Sequence, residues 1–359
     1  MNYAVVMAGG RGERFWPLSR AGSPKQFLKI LSDKTLLEDT LERTAALAPL
    51  ERTVVVAGEV FKKQILEKVP SLSEKNLLLE PEGKNTGPAI ALAAVHLAKK
   101  DPEAVMMVLP SDHFIHPKER LTRILSAAAE TAGGGDFLIT LGIVPARAET
   151  GYGYIEVGEK ANETDGVAVY QVARFKEKPT RTLAQEYYLD RKHFWNSGIF
   201  VWSAASILKA LERHQPETQK HLKSYSETIG TSREPEARKK LFAALEPVSI
   251  DVAVLEKAKN VLTIPSDFTW DDVGSFLALE RVRKRDRENN LCLGSSLALS
   301  SYETTVINEG GGVVAVFGVS DLVVVKSGEL ILVAHKTRVA DLREVTEKLA
   351  ADPNFKQYL

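Results

Sequence analysis

Near the amino terminus, glycines alternate with fixed cations in a way suited to phosphate chemistry. Residues 8–20 read Ala8-Gly9-Gly10-Arg11-Gly12-Glu13-Arg14-Phe15-Trp16-Pro17-Leu18-Ser19-Arg20, and Ser23-Pro24-Lys25-Gln26 follow shortly after. Without a Cβ in the way, backbone N–H groups approach anionic oxygens closely, and Arg and Lys add charge. Two common phosphate loops are excluded by their spacing. A Walker loop requires a lysine followed by Ser or Thr at a fixed offset, which is absent. The dinucleotide fingerprint begins correctly at Gly10 and Gly12, but its third glycine position holds Phe15, which disfavours a dehydrogenase.

Acidic residues with chemical potential lie far away in sequence. Asp112 sits in Pro110-Ser111-Asp112-His113, directly after the apolar run Val105 to Leu109, and Asp271-Asp272 lie in Phe268 to Ser275. Taken alone, a strand-end aspartate shapes a turn, and the pair caps a helix starting near Ser275. Likewise Lys176-Glu177-Lys178-Pro179 is by itself a surface charge pair at a strand end, and Gly151-Tyr152-Gly153 is a turn.

Together these segments resemble the sugar-1-phosphate nucleotidyltransferases, whose signature is G-G-x-G-x-R-x-x-P-x-S-x followed by P-K-Q. The version with Trp16-Pro17-Leu18-Ser19-Arg20 and Pro24-Lys25-Gln26-Phe27-Leu28 is similar to the mannose-1-phosphate guanylyltransferase branch. Three positions depart from it: Glu13 replaces the usual Ser or Thr, Phe15 the frequent Leu, and Gly87 the common Ala. Arg11 and Glu13 are read as framework.

The resemblance implies that GTP and mannose 1-phosphate give GDP-mannose and pyrophosphate by in-line attack on the α-phosphorus. Arg14, Lys25 and Asp112 are the expected catalytic residues. Ala8, Gly9, Gly10, Gly12, Asn85, Thr86, Gly87 and Ser111 are expected around the nucleotide, and Gly153, Glu177, Lys178 and Asn196 around the sugar phosphate. Asp112 and Asp272 would share Mg²⁺ or a similar divalent metal, an ion that keeps waters and substrate phosphates in its other positions. A phosphate monoester is largely deprotonated at neutral pH, its second pKa lying near ~6. No general base is then required, and His113 and His116 are not expected to be catalytic. The alternatives are uridylyl, adenylyl or thymidylyl transfer to glucose 1-phosphate, and a non-catalytic regulatory subunit that binds a sugar nucleotide.

The elements expected to position these residues follow an α/β pattern. Tyr3 to Met7, Thr53 to Ala57, Leu77 to Leu79, Val105 to Leu109 and Phe137 to Leu141 read as buried strands, alternating with amphipathic stretches at Leu36 to Leu47, Thr86 to Lys100 and Glu119 to Ala132. That alternation predicts a Rossmann-like, mostly parallel sheet with helices on both faces and ligands beyond the strands' carboxyl ends. Residues 152–157 and 168–176 read as an antiparallel ribbon, Asn196 to Trp202 as a further buried strand, and Ala204 to Leu245 as helical. The expected organisation is a catalytic domain at 1–280, a charged linker at 281–290 and a β-rich domain at 291–359 ending in a helix. The resemblance implies a left-handed β-helix-like form for that last domain, often used for homodimer contacts.

Bulk composition narrows the partners. The 359 residues carry 47 basic and 47 acidic side chains, a balance that argues against nucleic acid or an anionic membrane as the main partner. No apolar run approaches the ~18 residues of a membrane span, and no signal peptide is evident, so a cytoplasmic location is expected. Cys292, the single cysteine, is expected to be a buried structural thiol. Some members fuse a cupin isomerase, but the stretch after residue 290 is too short for one, so isomerase activity is not expected.

Overall fold

A computed structural model describes residues 1–10, 12–20 and 22–359, with the Glu13 side chain excepted. The framework roles expected of Arg11 and the Glu13 side chain lie outside the described residues. The chain divides into two compact units, which interleave along the sequence. One comprises Met1–Gly9, Thr40–Ser111 and Ile115–Trp270, the other Gly10–Asp39, Asp112–Phe114 and Asp271–Leu359.

The first unit is built on a nine-stranded sheet. Its strands are β1 (Asn2–Met7), β2 (Thr53–Gly58), β3 (Leu77–Glu80), β4 (Val105–Pro110), β5 (Leu138–Ile143), β6 (Tyr154–Thr164), β7 (Val167–Lys176), β8 (His193–Ser203) and β9 (Val261–Ser266). Their order is β3-β2-β1-β4-β8-β5-β9-β7-β6, with β6 also pairing β8. Strands β1 to β4 are mutually parallel and β9 is parallel to β5, whereas β8 runs antiparallel to its neighbours β4, β5 and β6. The sheet is thus mostly parallel, with β8 reversed near its middle and β7 reversed beside the β6 edge; the reversal of β8 is a feature that alternation in the sequence did not predict. Apolar runs such as Ala4-Val5-Val6 are fully buried, as strands covered on both faces require.

Helices cover that sheet. Along the chain they are α1 (Leu36–Thr44), α2 (Lys62–Lys68), α3 (Thr86–Lys100), α4 (Lys118–Gly133), α5 (Arg181–Asp190), α6 (Ala204–His214), α7 (Pro216–Ser226) and α8 (Glu234–Ala244). Helix α3 is buried nearly all round, and its Ala89, Ala91 and Ala93 join Tyr3, Val5 and Trp202 in one core cluster. Leu121, Leu125 and Ala128 of α4 join Met107, Ile139 and Val201 in another. No described helix is long and apolar enough to cross a membrane.

The second unit combines the glycine and cation loop with the carboxyl-terminal strands. After α9 (Phe276–Val282) come β10 (Leu291–Leu293), β11 (Ser296–Leu299), β12 (Thr305–Glu309), β13 (Val314–Phe317), β14 (Leu322–Ser327) and β15 (Leu330–His335), followed by α10 (Arg343–Ala351). The parallel ladders β10–β12–β14 and β11–β13 are coils of a β-helix-like stack, closed by antiparallel β15 on β14. Its core contains Phe15, Trp16 and Leu28 from the loop together with Phe276, Ile307 and Val323.

Two sequence expectations need correction in this unit. Cys292 is exposed, not buried, because side chains alternate along β10 and Leu291 takes the inward position. The basic cluster from Arg281, which the sequence alone presents most simply as a solvated helix end, makes structural contacts instead. Arg281 grips buried Asp271 through Nε at 2.6 Å and Nη2 at 3.0 Å, and Arg283 donates to the Leu31 carbonyl at 2.5 Å.

Candidate active site

The loop, Asp112 and the Asp271-Asp272 pair meet within the second unit. Gly12 has φ +68°, and a Cβ there would lie 2.4 Å from Lys25 Cβ and 2.8 Å from Lys25 N. Only glycine supplies both that backbone conformation and that clearance. The Gly12 carbonyl accepts from Phe15 N at 3.0 Å and from Ser19 Oγ, so one residue ties the turn together against Lys25.

Lys25 is the centre of this cluster. It is 7 % exposed, and its Nζ donates to Asp112 Oδ2 at 2.7 Å and to the Asp272 carbonyl at 2.8 Å. The Phe15 ring lies beneath the ammonium, 5.7 Å from Nζ to its centroid, and Phe15 itself packs edge-on against Phe276. This is a physical role for the aromatic that departs from the family pattern. Burial pushes the Asp112 carboxyl up, but Lys25 and His113 outweigh it and hold it below the usual carboxylate range. Asp112 is therefore a permanent anion near neutrality. Arg14 is exposed on the short 3₁₀ turn Glu13–Phe15.

The Asp112 and Asp272 carboxylates are oxygen donors of the kind a hard divalent cation takes. One ammonium reaches both the Asp112 carboxylate and the Asp272 backbone, so these distant segments already converge on positive charge. Among the described residues no group of three or more His, Cys, Asp or Glu is arranged around a cation position. A two-carboxylate contribution suits Mg²⁺, which takes its remaining oxygens from water and phosphates. Asp271 does not cap α9, since its carboxylate is held by Arg281 and by Val273 N at 2.8 Å. Asp272 Oδ1 accepts from Gly274 N at 3.1 Å.

In the first unit, Ala8 is buried and donates its N–H to the Val56 carbonyl at 2.8 Å, while Gly9 is exposed; Gly10, which opens the second unit, is exposed too. Ser111 is buried, with its N–H on the Met7 carbonyl at 3.0 Å and its own carbonyl accepting from Thr40 Oγ1 at 3.1 Å. Asn85 has φ 69° and caps α3 by accepting from Thr86 N at 2.8 Å. Thr86 Oγ1 accepts from Ile250 N at 3.0 Å, and Gly87 N donates to the Val248 carbonyl at 2.9 Å. A Cβ on Gly87 would stand 2.6 Å from that carbonyl, which accounts for glycine where alanine is common. Gly87→Ala is expected to displace residues 248–250 and to cost about 1–3 kcal/mol. Urea unfolding measures the loss, and an unchanged midpoint would contradict it.

The four residues expected at the sugar phosphate do converge, through strand register. Gly153 and Glu177 flank the Tyr154–Lys176 pair at one end of the β6–β7 ribbon, and Trp195 of β8 pairs with the same Tyr154. Asn196 N donates to the Gly153 carbonyl at 2.8 Å. A Cβ on Gly153 would lie 2.6 Å from Glu177 Oε2 and 3.3 Å from Asn196 Cβ. Lys178, with φ 42°, ends the ribbon and pairs with Glu177 Oε1 at 3.1 Å.

Two buried acids were not foreseen. Glu80, at the end of β3, is 4 % exposed; its Oε1 has no partner among the described residues, and a Cβ on Gly9 would lie 3.1 Å from Oε2. Burial pushes its carboxyl up to about 7 from an ordinary 4.5. Because the folded pKa exceeds the unfolded one, Glu80 favours folding at acid pH, and that advantage is lost as pH rises through about 7. Glu80→Gln is therefore expected to stabilise the protein at pH 8, by up to roughly 3 kcal/mol, with the gain shrinking toward pH 5. Denaturant melts across that range measure it, and a gain that grows on acidification would contradict the assignment. Asp251, the second acid, is buried beside Asn196, to which it is hydrogen-bonded. Each is a lone acid at the edge of an apolar run, Leu77-Leu78-Leu79-Glu80 and Ile250-Asp251-Val252-Ala253-Val254. That signal was available in the sequence.

Residues 3–289 match the nucleotidyl transferase family, and residues 297–349 match the MannoseP isomerase/GMP-like beta-helix domain. A mannose-1-phosphate guanylyltransferase of Escherichia coli is 38% identical over 98% of this chain and 74% of its own length. The mannose-1-phosphate guanylyltransferase ManC of Salmonella typhimurium is 36% identical over 99% of this chain and 75% of its own length. A Thermus thermophilus crystal structure, described as a mannose-1-phosphate geranyltransferase, superposes with a TM-score of 0.87 at 38% identity, covering 97% of this chain and 99% of that one.

Proposed function

The chain belongs to the nucleotidyl transferase family, and from that premise we propose that it transfers GMP from GTP to α-D-mannose 1-phosphate, forming GDP-mannose and pyrophosphate. The relatives named as mannose-1-phosphate guanylyltransferases support the two substrates. The observation that carries the reading is Lys25, buried between the Asp112 carboxylate and the Asp272 carbonyl and packed on Gly12. A regulatory subunit that only binds a sugar nucleotide has no need of that convergence.

In the proposed reaction a phosphate oxygen of mannose 1-phosphate attacks the α-phosphorus of GTP, the new oxygen–phosphorus bond forms, and the bond to the β-phosphate breaks. The attacking oxygen is already deprotonated, with its pKa near ~6, so no side chain has to take a proton. Arg14 and Lys25 stabilise charge building on the leaving pyrophosphate. Gly9, Gly10 and Gly12, without side chains, would admit phosphate oxygens, and Ala8 and Ser111 belong to the same nucleotide-binding reading. Asp112 and Asp272 would hold Mg²⁺, which when bound offsets the repulsion between the two anionic substrates. Lys178 pairs with the phosphate of the sugar phosphate, and Glu177 addresses its hydroxyls beside Gly153 and Asn196.

Guanine fits the segment that runs from Glu80 through Asn85, Thr86 and Gly87. Its N1–H and amino group both donate, and Asn85 is exposed at the start of α3, where a base edge can be read. Adenine presents one donor and one acceptor on the corresponding edge, so ATP gains less there. A homodimer and a cytoplasmic location belong to the same reading, on the family resemblance; sedimentation tests the first. A panel of GTP, UTP, ATP and dTTP against mannose and glucose 1-phosphates tests the substrates. GTP with mannose 1-phosphate should give the highest kcat/KM, and preference for another pair would overturn the assignment.

A further inference from the structure

The proposed sugar pocket contains a residue whose chemistry is not yet used. Asn196 is already committed within the protein: its Oδ1 accepts from Thr140 Oγ1 at 2.7 Å and from Gly198 N at 3.3 Å, and its Nδ2 donates to Asp251 Oδ1 at 2.8 Å. Asp251 is 8 % exposed, and among the described residues its carboxylate accepts only from Asn196 Nδ2 and from its own backbone N–H. A carboxylate oxygen in such a place is costly unless a donor arrives. Burial first, and then the charge of Glu177, push the Asp251 carboxyl up to about 7. A hydroxyl donated to it would relieve that penalty.

The backbone holds Asp251 in this position on purpose-built contacts. It opens a single π-helical turn, Asp251–Leu255, and such turns recur at functional sites. The three residues before it are pinned to the start of α3, through Val248 O on Gly87 N and Ile250 N on Thr86 Oγ1. Glu177 approaches from the end of the β6–β7 ribbon, where its N–H is held by Glu256 Oε1 at 3.0 Å. Two acceptors on different elements suit a hexose, which presents neighbouring hydroxyl donors.

We propose that Asp251 is a sugar-specificity residue: its second carboxylate oxygen accepts a hydroxyl of the hexose phosphate, and Asn196 is the positioning residue that aims it. This rests on the reading of Gly153, Glu177, Lys178 and Asn196 as the sugar phosphate site. Asp251→Asn keeps the shape and removes the charged acceptor. It should raise the KM for mannose 1-phosphate by about 10- to 100-fold, the range for a hydrogen bond to a charged group, and leave the KM for GTP within about twofold.

Monodeoxy analogues of mannose 1-phosphate identify the contact. The analogue lacking the hydroxyl bound by Asp251 should be poor with the wild type and suffer no further loss with Asp251→Asn, whereas the other analogues keep their full penalties. Equal rises in both KM values, or full penalties for every analogue in the variant, would overturn the proposal. If Asp251→Asn does not fold, Asp251→Glu serves instead. It keeps the charge and moves it, so the ranking of the deoxy analogues should change, and an unchanged ranking counts against the proposal. A wild type that makes no GDP-mannose overturns the functional reading and this proposal with it. A wild type active on mannose 1-phosphate, with variants that behave as merely structural, overturns this proposal alone.

Discussion

Lys25→Ala is expected to lower kcat for pyrophosphate release by about 100- to 1000-fold, the usual consequence of removing one preorganised group from a site where charge develops. The side chain is 7 % exposed and already aimed, held by Asp112 Oδ2 at 2.7 Å and the Asp272 carbonyl at 2.8 Å. It therefore needs little reorganisation when phosphate charge moves toward the leaving group. Lys25→Arg should restore less than a tenth of the activity. The Cβ lies against Gly12, and a planar guanidinium cannot occupy the place of a compact ammonium. Removing the cation also leaves Asp112 without its ion pair, at a cost of about 1–3 kcal/mol in a partly solvated setting. Steady-state pyrophosphate release, followed beside thermal melts, separates the two effects. Wild-type turnover in a folded Lys25→Ala protein would remove Lys25 from the chemistry.

The second large effect is expected from Asp112→Asn. Asp112 is kept ionised by Lys25 and His113 against the desolvation of its partly exposed site, so the protein carries a fixed negative charge beside the backbone of Asp272. Replacing it with a neutral amide should reduce kcat by about 100-fold and raise the half-saturating Mg²⁺ concentration at least about tenfold, because a carboxylate is a far better ligand for a hard cation. Titrating activity against Mg²⁺ in both proteins reads this directly. Equal Mg²⁺ midpoints would show that Asp112 acts only as the partner of Lys25. The depressed pKa adds that the wild-type rate should not fall through Asp112 titration until the pH drops below the ordinary carboxylate range.

Much of the fold was legible because strand and helix periods are strong here. Thr86 to Lys100 was read as one amphipathic segment, and α3 spans those same residues. The reversed direction of β8 was not legible, since a buried strand reads the same whichever way it runs. Nor did the sequence show that Gly10–Asp39 packs in a unit with Asp271–Leu359, because the core of Phe15, Trp16 and Phe276 joins positions far apart along the chain.

Of the candidate site, the residue types were readable, and the structure adds their placement. Lys25 and Asp112 are linked by an ion pair, and Gly153, Glu177 and Asn196 are gathered by one register. What could not be read was the role of each polar atom. Asn196 reads from sequence as a hydroxyl partner, but its Oδ1 is taken by Thr140 and Gly198 and one of its two Nδ2 hydrogens by Asp251. Asp251 and Glu80 stand out in the sequence only as single acids at apolar runs, a cue with no spacing from which a role could be read. Their significance comes from burial, which only the folded chain supplies.

Following the phosphorus atoms of GTP through the reaction tests the central claim most directly. With mannose 1-phosphate and Mg²⁺ present, label at the α-phosphorus should appear in GDP-mannose and label at the γ-phosphorus in pyrophosphate, in equal amounts and only when both substrates are supplied. Label at the γ-phosphorus appearing as inorganic phosphate, or no label in a sugar nucleotide, would contradict the account.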